Sequence, residues 1–498
     1  MSSQIDTFSV AKDLSSVQLD RLPNLIIDEC LQDCAKEISA TADMILLGDF
    51  HLPYETLAMP KKKFEPRPVT VASTPARVAY AALVNSVSDS LGPKSREDGN
   101  LAIHKSFTVR NESNYFVDFD IASFYEYIDH GILAQQLLTR TLNSEVVEKF
   151  MRILKSLTKG ARGLPQLLSA SDHLSDSYIS ALERRLVRNG YSVVRYADDF
   201  TVACPDWEAA NVIIERAAEY ARDLGLVLSS EKTNIRKRAT IIATEESEAR
   251  FINRYSETAE NKLVTRIFTT GRYGEFIEEL ETFSEKEAAE GTMWSLVRDW
   301  YEVMERAAPE DSFRVEGHFR TFLGVAVDRL RGHDERIPDS ILEEIVFKHP
   351  LFLDSVCEYV ATRAHTHESR EDPWESMRIL SNMGRQSPWA KIWMLDTIAR
   401  THTRKMDSCN YSPVMNWVDA QVEDRHEVVR AQAAWAASCH GRLSESALTG
   451  AYTHASPLSQ HALAACMGKQ GGMGNGIVQA IRQDGPLNRK AFEWAQGV

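Results

Sequence analysis

The fold is decided by the stretch Arg195-Tyr196-Ala197-Asp198-Asp199-Phe200, which places two neighbouring carboxylates inside an apolar run. Within 191–204, β-branched residues lead into a tight Ala-Asp-Asp turn and an apolar run leads out of it. This pattern predicts a β-hairpin with Asp198 and Asp199 at its tip. Adjacent ionised carboxylates repel each other unless a cation lies between them, and Mg²⁺ prefers such oxygen ligands. The alternative is a solvated turn, in which Asp is common.

A second acidic position lies upstream, at the end of another predicted strand. Residues 114–120 read Asn-Tyr-Phe-Val-Asp-Phe-Asp and run into a helical pattern over 121–140. Asp120 is at the end of the strand, where a carboxylate can face a ligand beyond the sheet edge. Asp118 lies two residues back on the same face of the strand, so it is the second candidate for the same role.

These two segments resemble two catalytic motifs of reverse transcriptases. Asp-Ile-x-x-Phe-Tyr-x-x-Ile-Asp-His, which begins at Asp120, looks like the first motif, and Tyr-Ala-Asp-Asp, which ends at Asp199, looks like the third. The resemblance implies nucleotidyl transfer with two metal ions, one activating the primer 3′-hydroxyl and the other stabilising the pyrophosphate. It implies that Asp120, Asp198 and Asp199 are catalytic metal ligands, with the Ile121 carbonyl as a further ligand and Mg²⁺ or Mn²⁺ as the ion.

Two further segments are spaced as in that family. Gly163-Leu-Pro-Gln166 precedes a helical pattern and resembles the second motif, which lies under the nascent base pair, so Gln166 would contact the incoming nucleotide. The family usually has Gly after this Gln, and Leu167 stands there instead, which puts the approach of the backbone to the template in question. The segment 224–235 looks like the fourth motif, and its Lys232 would donate a proton to pyrophosphate. The alternative for Lys232 is a solvated loop lysine.

Basic residues near the N-terminus resemble the finger strands of the same family. The stretch Lys61-Lys62-Lys63-Phe-Glu-Pro-Arg67-Pro68 contains an Arg-Pro pair like the one in which Arg grips the incoming triphosphate. Lys63 and Arg77 would assist Arg67 in binding dNTPs, because ammonium and guanidinium groups neutralise a highly charged anion. The alternative is a basic surface loop.

The composition fits a globular protein of two or three domains. The chain has 498 residues, of which 43% are hydrophobic, with no apolar run of transmembrane length and no signal-peptide pattern. The cysteines show no zinc-binding spacing, so they are interpreted as reduced thiols of a cytoplasmic protein. The net charge of −14 argues against tight nonspecific binding of long duplexes and favours a confined channel for a short or single-stranded product.

The order of predicted elements around these motifs is β-α-β-β-α-β. Such a chain folds as an antiparallel sheet with helices on one face, and the sheet brings Asp120 beside the hairpin tip. We therefore expect an α+β protein with reverse-transcriptase fingers and palm at 1–240 and a thumb-like helical connector at 241–310. Short amphipathic helices with recurrent prolines predict an all-α, HEAT-like helical-repeat domain at 311–498. A four-helix bundle is the alternative for this last part.

A polymerase body followed by helical repeats is similar to the abortive-infection and defence-associated reverse transcriptases of bacteria. This resemblance implies an RNA-directed or template-independent DNA polymerase in antiphage defence, which uses dNTPs and makes a DNA product. It also implies protein priming or association with a noncoding RNA as template or scaffold, a homo-oligomer, and no membrane partner. The phage trigger stays open. The helical tail would serve assembly or partner binding more than the metal chemistry.

Two other functions compete with this interpretation. An RNA-dependent RNA polymerase shares the palm, but such enzymes tend to have an acidic or polar residue five positions after the first catalytic Asp. Here Tyr125 stands at that position, and its bulky ring would act as a steric gate that blocks the ribose 2′-hydroxyl in the dNTP site. The other competitor is a nonenzymatic nucleic-acid-binding scaffold, which the presence of all three carboxylates disfavours.

Overall fold

The protein consists of two compact units, each assembled from separate segments of the chain. The first unit is formed by 1–18, 39–52 and 75–250, and the second by 19–38, 53–74 and 251–498. The computed structural model describes residues 5–48, 52–61, 66–97, 99–158, 160–256, 265–269, 276–280, 286–306, 319, 322–366, 372–401 and 404–497.

The secondary structure is mainly helical. The earlier helices are α1 (Thr7–Lys12), α2 (Ile26–Glu29), α3 (Ala35–Leu47), α4 (Thr74–Asn85), α5 (Ser88–Leu91), α6 (Asn100–Arg110), α7 (Phe124–Tyr127), α8 (His130–Thr141), α9 (Ser144–Thr158), α10 (Ser169–Arg188), α11 (Trp207–Asp223) and α12 (Arg238–Ser256). The later helices are α13 (Lys286–Arg306), α14 (322–329), α15 (Asp339–Lys348), α16 (Leu353–Thr366), α17 (Pro373–Ser381), α18 (Pro388–Arg400), α19 (Tyr411–Gln421), α20 (Glu427–Cys439), α21 (Glu445–His454), α22 (Gln460–Gln470), α23 (Asn475–Asp484) and α24 (Pro486–Ala495). The strands are β1 (Tyr54–Met59), β2 (Arg67–Ala72), β3 (Tyr115–Phe119), β4 (Ser192–Tyr196), β5 (Asp199–Cys204), β6 (Asn234–Lys237), β7 (Thr265–Thr269) and β8 (Phe276–Leu280).

A four-stranded antiparallel sheet in the order β4-β5-β3-β6 forms the centre of the first unit. The predicted hairpin is present: Tyr196 pairs with Asp199 across a two-residue turn. The predicted helix over 121–140 is two helices, because Asp129 accepts hydrogen bonds from the amides of Gly131 and Ile132 and so begins α8 anew. The predicted strand over 226–235 is shorter and later in the structure, as β6.

The two faces of this sheet are covered differently. On one face, Phe119 and Phe200 stack with ring centroids 4.7 Å apart. On the same face, Trp207 of α11 contacts Tyr115, and Glu183 of α10 accepts a hydrogen bond from Arg195. On the other face, Phe107 of α6 and Ile241 of α12 pack against Phe116. The expectation that helices cover one face only is therefore wrong, since α6 and α12 cover part of the face on which Asp118 lies.

The second unit contains the helices from α15 to α24. Alternate helices contact each other in series, α16 with α18, α18 with α20, α20 with α22 and α22 with α24, and the same holds for α15, α17 and α19. Neighbouring helices such as α21 with α22 and α23 with α24 also pack together. Stacked helical hairpins give this pattern of contacts. The assignment to a HEAT-like repeat stays a prediction.

The segment 19–38 also belongs to the second unit. The amide of Ile26 donates to the Gln432 side chain at 3.0 Å, and His461 Nε2 lies 2.7 Å from the Ile27 carbonyl. Trp389 Nε1 donates to the carbonyl of Arg21 at 2.6 Å. These contacts join residues more than 360 positions apart, which a domain boundary at 240 does not describe.

The β1–β2 hairpin is attached to the same helices through Glu55. Its carboxylate accepts the amides of Glu427 and Val428 at 3.1 and 3.0 Å, and His426 Nδ1 lies 3.0 Å away. These amides are at the N-terminus of α20, where orphan N–H groups and the helix dipole favour a negative charge. The hairpin expected to belong to the fingers is thus fixed on the helical unit.

Two further expectations concern the whole chain. Across the ranges that the structure describes, no helix combines the length and the apolar character needed to cross a membrane. The seven cysteines form no disulfide in the structure, and five of them are buried.

Candidate active site

The three predicted aspartates lie at one end of the central sheet. Because Phe119 pairs with Phe200, the end of β3 is next to the turn that carries Asp198 and Asp199. Asp120 is only 5% exposed. Burial and the charges of Asp198 and Asp199 raise the pKa of Asp120 to about 9, although Lys232 opposes the rise. The aspartates therefore repel each other strongly, and a bound cation would relieve this repulsion.

Lys232 provides the positive charge closest to Asp120 in the structure. Its Nζ lies 2.8 Å from Asp120 Oδ2, and its side chain is 61% exposed. Burial of the ammonium group lowers the pKa of Lys232, but Asp120, Asp199 and Asp198 outweigh this effect, so the pKa is raised overall. Lys232 is thus an exposed lysine that is held protonated by the aspartates.

Asp118, the second candidate, has other partners. Its carboxylate accepts a hydrogen bond from the Thr201 hydroxyl at 2.7 Å and forms an ion pair with Arg236. Both partners lie on the strands that flank β3. Asp118 is therefore held within the sheet, and Asp120, one step beyond the strand end, is the residue that meets the hairpin tip.

The chemistry of these residues fits Mg²⁺ or Mn²⁺. Among the described residues, no three carboxylate, imidazole or thiolate groups already converge on one metal position. The Lys232 ammonium neutralises Asp120 instead, so an incoming cation would take its place. Three neighbouring carboxylates form a donor set that hard cations prefer.

The Ile121 carbonyl is also oriented away from the neighbouring chain segment. Ile121 forms an isolated bridge with Leu228. On either side of it, the Ser229 amide donates to the Asp120 carbonyl at 2.7 Å, and the Ala122 amide donates to the Val227 carbonyl at 2.8 Å. In this type of antiparallel pair, the N–H and C=O groups of the central residue point outward. The carbonyl accordingly faces away from the segment 227–229, and its role as a further metal ligand stays a prediction.

Three non-glycine residues in or beside the motifs have a positive φ angle. Ser123, Leu167 and Ala197 have φ angles of 45°, 67° and 56°, which L residues adopt at a cost of about 1–2 kcal/mol. Such outliers cluster at functional sites. The φ angle of Leu167 explains why Gly is usual after Gln166, and its side chain is fully buried. The expectation that Leu167 alters the approach of the backbone to a template stays a prediction.

The ring of Tyr125 is fixed by a polar cluster. Its hydroxyl donates to Asp172 and accepts from Arg96 Nη1 at 2.7 Å and from Ser175 at 3.2 Å, while Arg96 and Asp172 form an ion pair at 2.8 Å. Tyr125 is only 7% exposed, and burial raises the pKa of its hydroxyl, which stays neutral. A residue held this firmly in one position can exclude a substrate group by steric overlap.

Part of the chain matches a known protein family. Residues 59–252 match the family model described as "Reverse transcriptase (RNA-dependent DNA polymerase)". This segment is a reverse transcriptase domain. It contains the four motifs, the central sheet and the β2 strand. Reverse transcriptase domains generally use divalent metal ions.

The remaining comparisons add little. No curated protein matches the chain in sequence. Two similar solved structures are the telomerases from Candida albicans and Candida tropicalis, each in complex with the TWJ fragment of telomeric RNA, with 11% and 10% identity and a TM-score of 0.30 in both cases. They cover 78% and 73% of this chain, which spans 66% and 63% of theirs.

Arg96 is a residue of the reverse transcriptase domain that sequence reasoning missed. Burial and Asp199 raise the pKa of Asp198, and the charges of Arg96 and Lys232 oppose this rise. Arg96 thus contacts Tyr125 and acts electrostatically on Asp198. The only signal in the sequence is the short basic run Lys94-Ser-Arg96, which matches none of the four motifs.

The predicted nucleotide-binding residues have different locations. Gln166 is buried beside Leu167, and Arg67 is half-buried at the start of β2. Lys63 lies outside the described residues. Arg77 is buried in the core, where its guanidinium donates to the Val17 carbonyl, so the expectation that it assists in triphosphate binding is wrong.

Proposed function

We propose that this protein is an RNA-directed or template-independent DNA polymerase, which transfers nucleotides from dNTPs. The observation that best supports this function is the proximity of Asp120 to Asp198 and Asp199 within the reverse transcriptase domain, beside the protonated Lys232. Paired strands, rather than a single flexible loop, bring these groups together.

In the proposed reaction, the primer 3′-hydroxyl releases its proton to bulk water, from which Lys232 is reprotonated after turnover. The 3′-oxygen then attacks the α-phosphorus of a dNTP. A new P–O bond forms, the bond between the α-phosphorus and the bridging oxygen breaks, and pyrophosphate leaves with the electron pair. When bound by the three aspartates and the Ile121 carbonyl, Mg²⁺ or Mn²⁺ supplies charge that activates the 3′-hydroxyl and stabilises the leaving group. Lys232, held protonated in the structure, donates its proton to pyrophosphate. Gln166 lies at the nascent base pair.

Nucleotide incorporation by the purified full-length protein tests this function. Labelled dNTPs are supplied with Mg²⁺ or Mn²⁺, with and without an added RNA template and primer. Incorporation only with template indicates RNA-directed synthesis, and incorporation without template indicates template-independent synthesis. Use of ribonucleotides alone would indicate an RNA polymerase. The absence of incorporation under every condition would favour a nonenzymatic scaffold.

Replacing Tyr125 by Ala should weaken the preference for deoxyribonucleotides. The fixed ring rejects the 2′-hydroxyl by overlap, and loss of such a contact changes discrimination by about 10- to 100-fold. We expect the ratio of kcat/KM for dGTP to that for GTP to fall by this factor. Steady-state kinetics with both nucleotides measure the ratio.

Tyr125→Phe is the matched control, because it keeps the ring and removes only the hydroxyl that contacts Arg96 and Asp172. It should keep most of the discrimination. An unchanged ratio in Tyr125→Ala, or equal losses in both variants, would exclude the ring as the steric gate.

For the biological role, we propose antiphage defence in a bacterial cytoplasm, with the α15–α24 helices as a HEAT-like domain of a homo-oligomer. The alternating helix contacts and the resemblance of the motif order support this role. Phage plating on cells that express wild type or Asp120→Asn tests it. Denaturing purification, nuclease digestion and mass spectrometry then distinguish a product linked to the protein from one primed by a noncoding RNA.

A further inference from the structure

The turn that carries Asp198 and Asp199 is held in place by buried residues that are not themselves proposed metal ligands. The Ser95 hydroxyl accepts a hydrogen bond from the amide of Ala197 at 2.9 Å and donates to Asp176. The amide of Ser95 donates to the other oxygen of Asp176 at 2.9 Å. A serine from the loop before α6 and an aspartate from α10 therefore fix the N–H side of the turn.

Arg195 fixes the opposite side of the same residue. Its Nη1 donates to the carbonyl of Ala197 at 2.7 Å and to Asp176 at 2.8 Å, and its Nε donates to Glu183 at 3.0 Å. Asp176 is 2% exposed and the Arg195 side chain 6%. These charges are buried, yet both carboxylates and the guanidinium have partners, as a stable buried network requires.

The turn needs such support for two physical reasons. Ala197 has a φ angle of +56°, a conformation that L residues leave unless their surroundings hold them there. Asp198 and Asp199 are adjacent carboxylates, which repel each other when both are ionised. With both the N–H and the C=O of Ala197 bonded, the backbone that orients these carboxylates cannot rotate to relieve either stress.

We propose that Ser95 is a positioning residue, which acts through Ala197 to hold the Asp198 and Asp199 carboxylates at the separation that a divalent cation needs. Asp176 orients Ser95 in turn, and Arg195 completes the network. The inference rests on the proposed metal-dependent function. Groups that orient metal ligands without touching the metal typically contribute about 10- to 100-fold to metal affinity.

Mn²⁺ binding by the full-length protein tests this role without any need for turnover. The electron paramagnetic resonance signal of free Mn²⁺ gives the dissociation constant, with Asp120→Asn as the reference for a damaged site. We expect Ser95→Ala to bind Mn²⁺ about 10- to 100-fold more weakly than wild type. Ser95→Thr, which keeps the hydroxyl, should recover most of the affinity.

Ser39→Ala is the matched control, because Ser39 is another buried serine of the first unit with a side-chain partner, Thr7 at 2.8 Å, away from the turn. It should bind Mn²⁺ like wild type. If Ser95→Ala does not fold, as judged by circular dichroism, Asp176→Asn replaces it, since it keeps the shape of the side chain and removes its charge. A similar weakening in that variant supports the proposal.

The positioning role would be overturned if a folded Ser95→Ala or Asp176→Asn variant bound Mn²⁺ with wild-type affinity. An equal loss of affinity in Ser39→Ala, or no Mn²⁺ binding by wild type, would also overturn it. A different result would refute the proposed polymerase function. A protein that binds Mn²⁺ in a Ser95-dependent manner but incorporates no nucleotide would refute the polymerase and support the positioning of the turn.

Discussion

Replacing Asp120 by Asn is expected to lower nucleotide incorporation by at least about 10³-fold, because the charge that a metal supplies to the reaction is worth several kcal/mol. The variant loses a buried negative ligand and leaves bound metal charge uncompensated. Initial rates at saturating Mg²⁺ and dNTP measure the effect.

Asp118→Asn is the matched control on the same strand. It keeps a hydrogen-bonding group for Thr201 and loses the ion pair with the partly exposed Arg236, so incorporation should stay within about tenfold of wild type. A large loss in Asp118→Asn together with near-normal rates in Asp120→Asn would move the catalytic assignment to Asp118.

The Asp120→Asn variant also tests the electrostatics of the site in the absence of substrate. The pKa of Asp120 is about 9 in the folded protein, against an ordinary value of 3.8. A carboxyl group whose pKa rises on folding loses its favourable contribution to stability as the pH rises through that range. In metal-free buffer, the melting temperature of wild type should therefore fall relative to the variant between about pH 4 and pH 9.

Mg²⁺ should then raise the melting temperature of wild type more than that of Asp120→Asn, because a cation that binds only the folded state stabilises it. Thermal melts with and without Mg²⁺ at pH 8 measure both effects. Parallel melting curves for the two proteins at every pH would contradict the repulsion inferred at Asp120.

Deleting residues 311–498 is expected to abolish incorporation altogether, in contrast to the expectation from sequence that the tail serves mainly assembly or partner binding. The deletion removes Gln432, His461 and Trp389, on which the segment 19–38 is hydrogen-bonded, and the α20 terminus that binds Glu55. Buried residues such as Ile26 would lose the helices that cover them, and each buried aliphatic side chain contributes about 1.5–3 kcal/mol. Soluble yield, circular dichroism and dNTP incorporation measure the outcome.

Glu55→Ala is a milder test of the same attachment. Loss of a carboxylate that caps a helix costs about 0.5–2 kcal/mol, so the β1–β2 hairpin should exchange its amide hydrogens faster while the central sheet does not. Glu55→Gln, which keeps the acceptor oxygen, should show a smaller change. For the deletion of 311–498, a truncated protein that stays soluble and incorporates nucleotides would contradict the prediction and show that the remaining chain folds without these helices.

The sequence by itself determined the local features of the reverse transcriptase domain. The alternation of apolar residues around Ala197-Asp198-Asp199 specifies a hairpin, because strand periodicity and turn chemistry are encoded within a few residues. The order of elements then required an antiparallel sheet, and the family match over 59–252 agrees with the motifs from which the resemblance was drawn. The assignments of metal and nucleotide ligands remain proposals for the experiments above.

Only the tertiary structure decided which polar residues support the site. Asp118 and Asp120 share a strand face. The register of β5 and β6 pairs Asp118 with Arg236 and places Asp120 next to the hairpin tip. Arg77 looked like a triphosphate ligand and is a core residue, whereas Ser95 carried no signal and holds the turn. These outcomes depend on packing between segments far apart in the chain, which local periodicity does not encode.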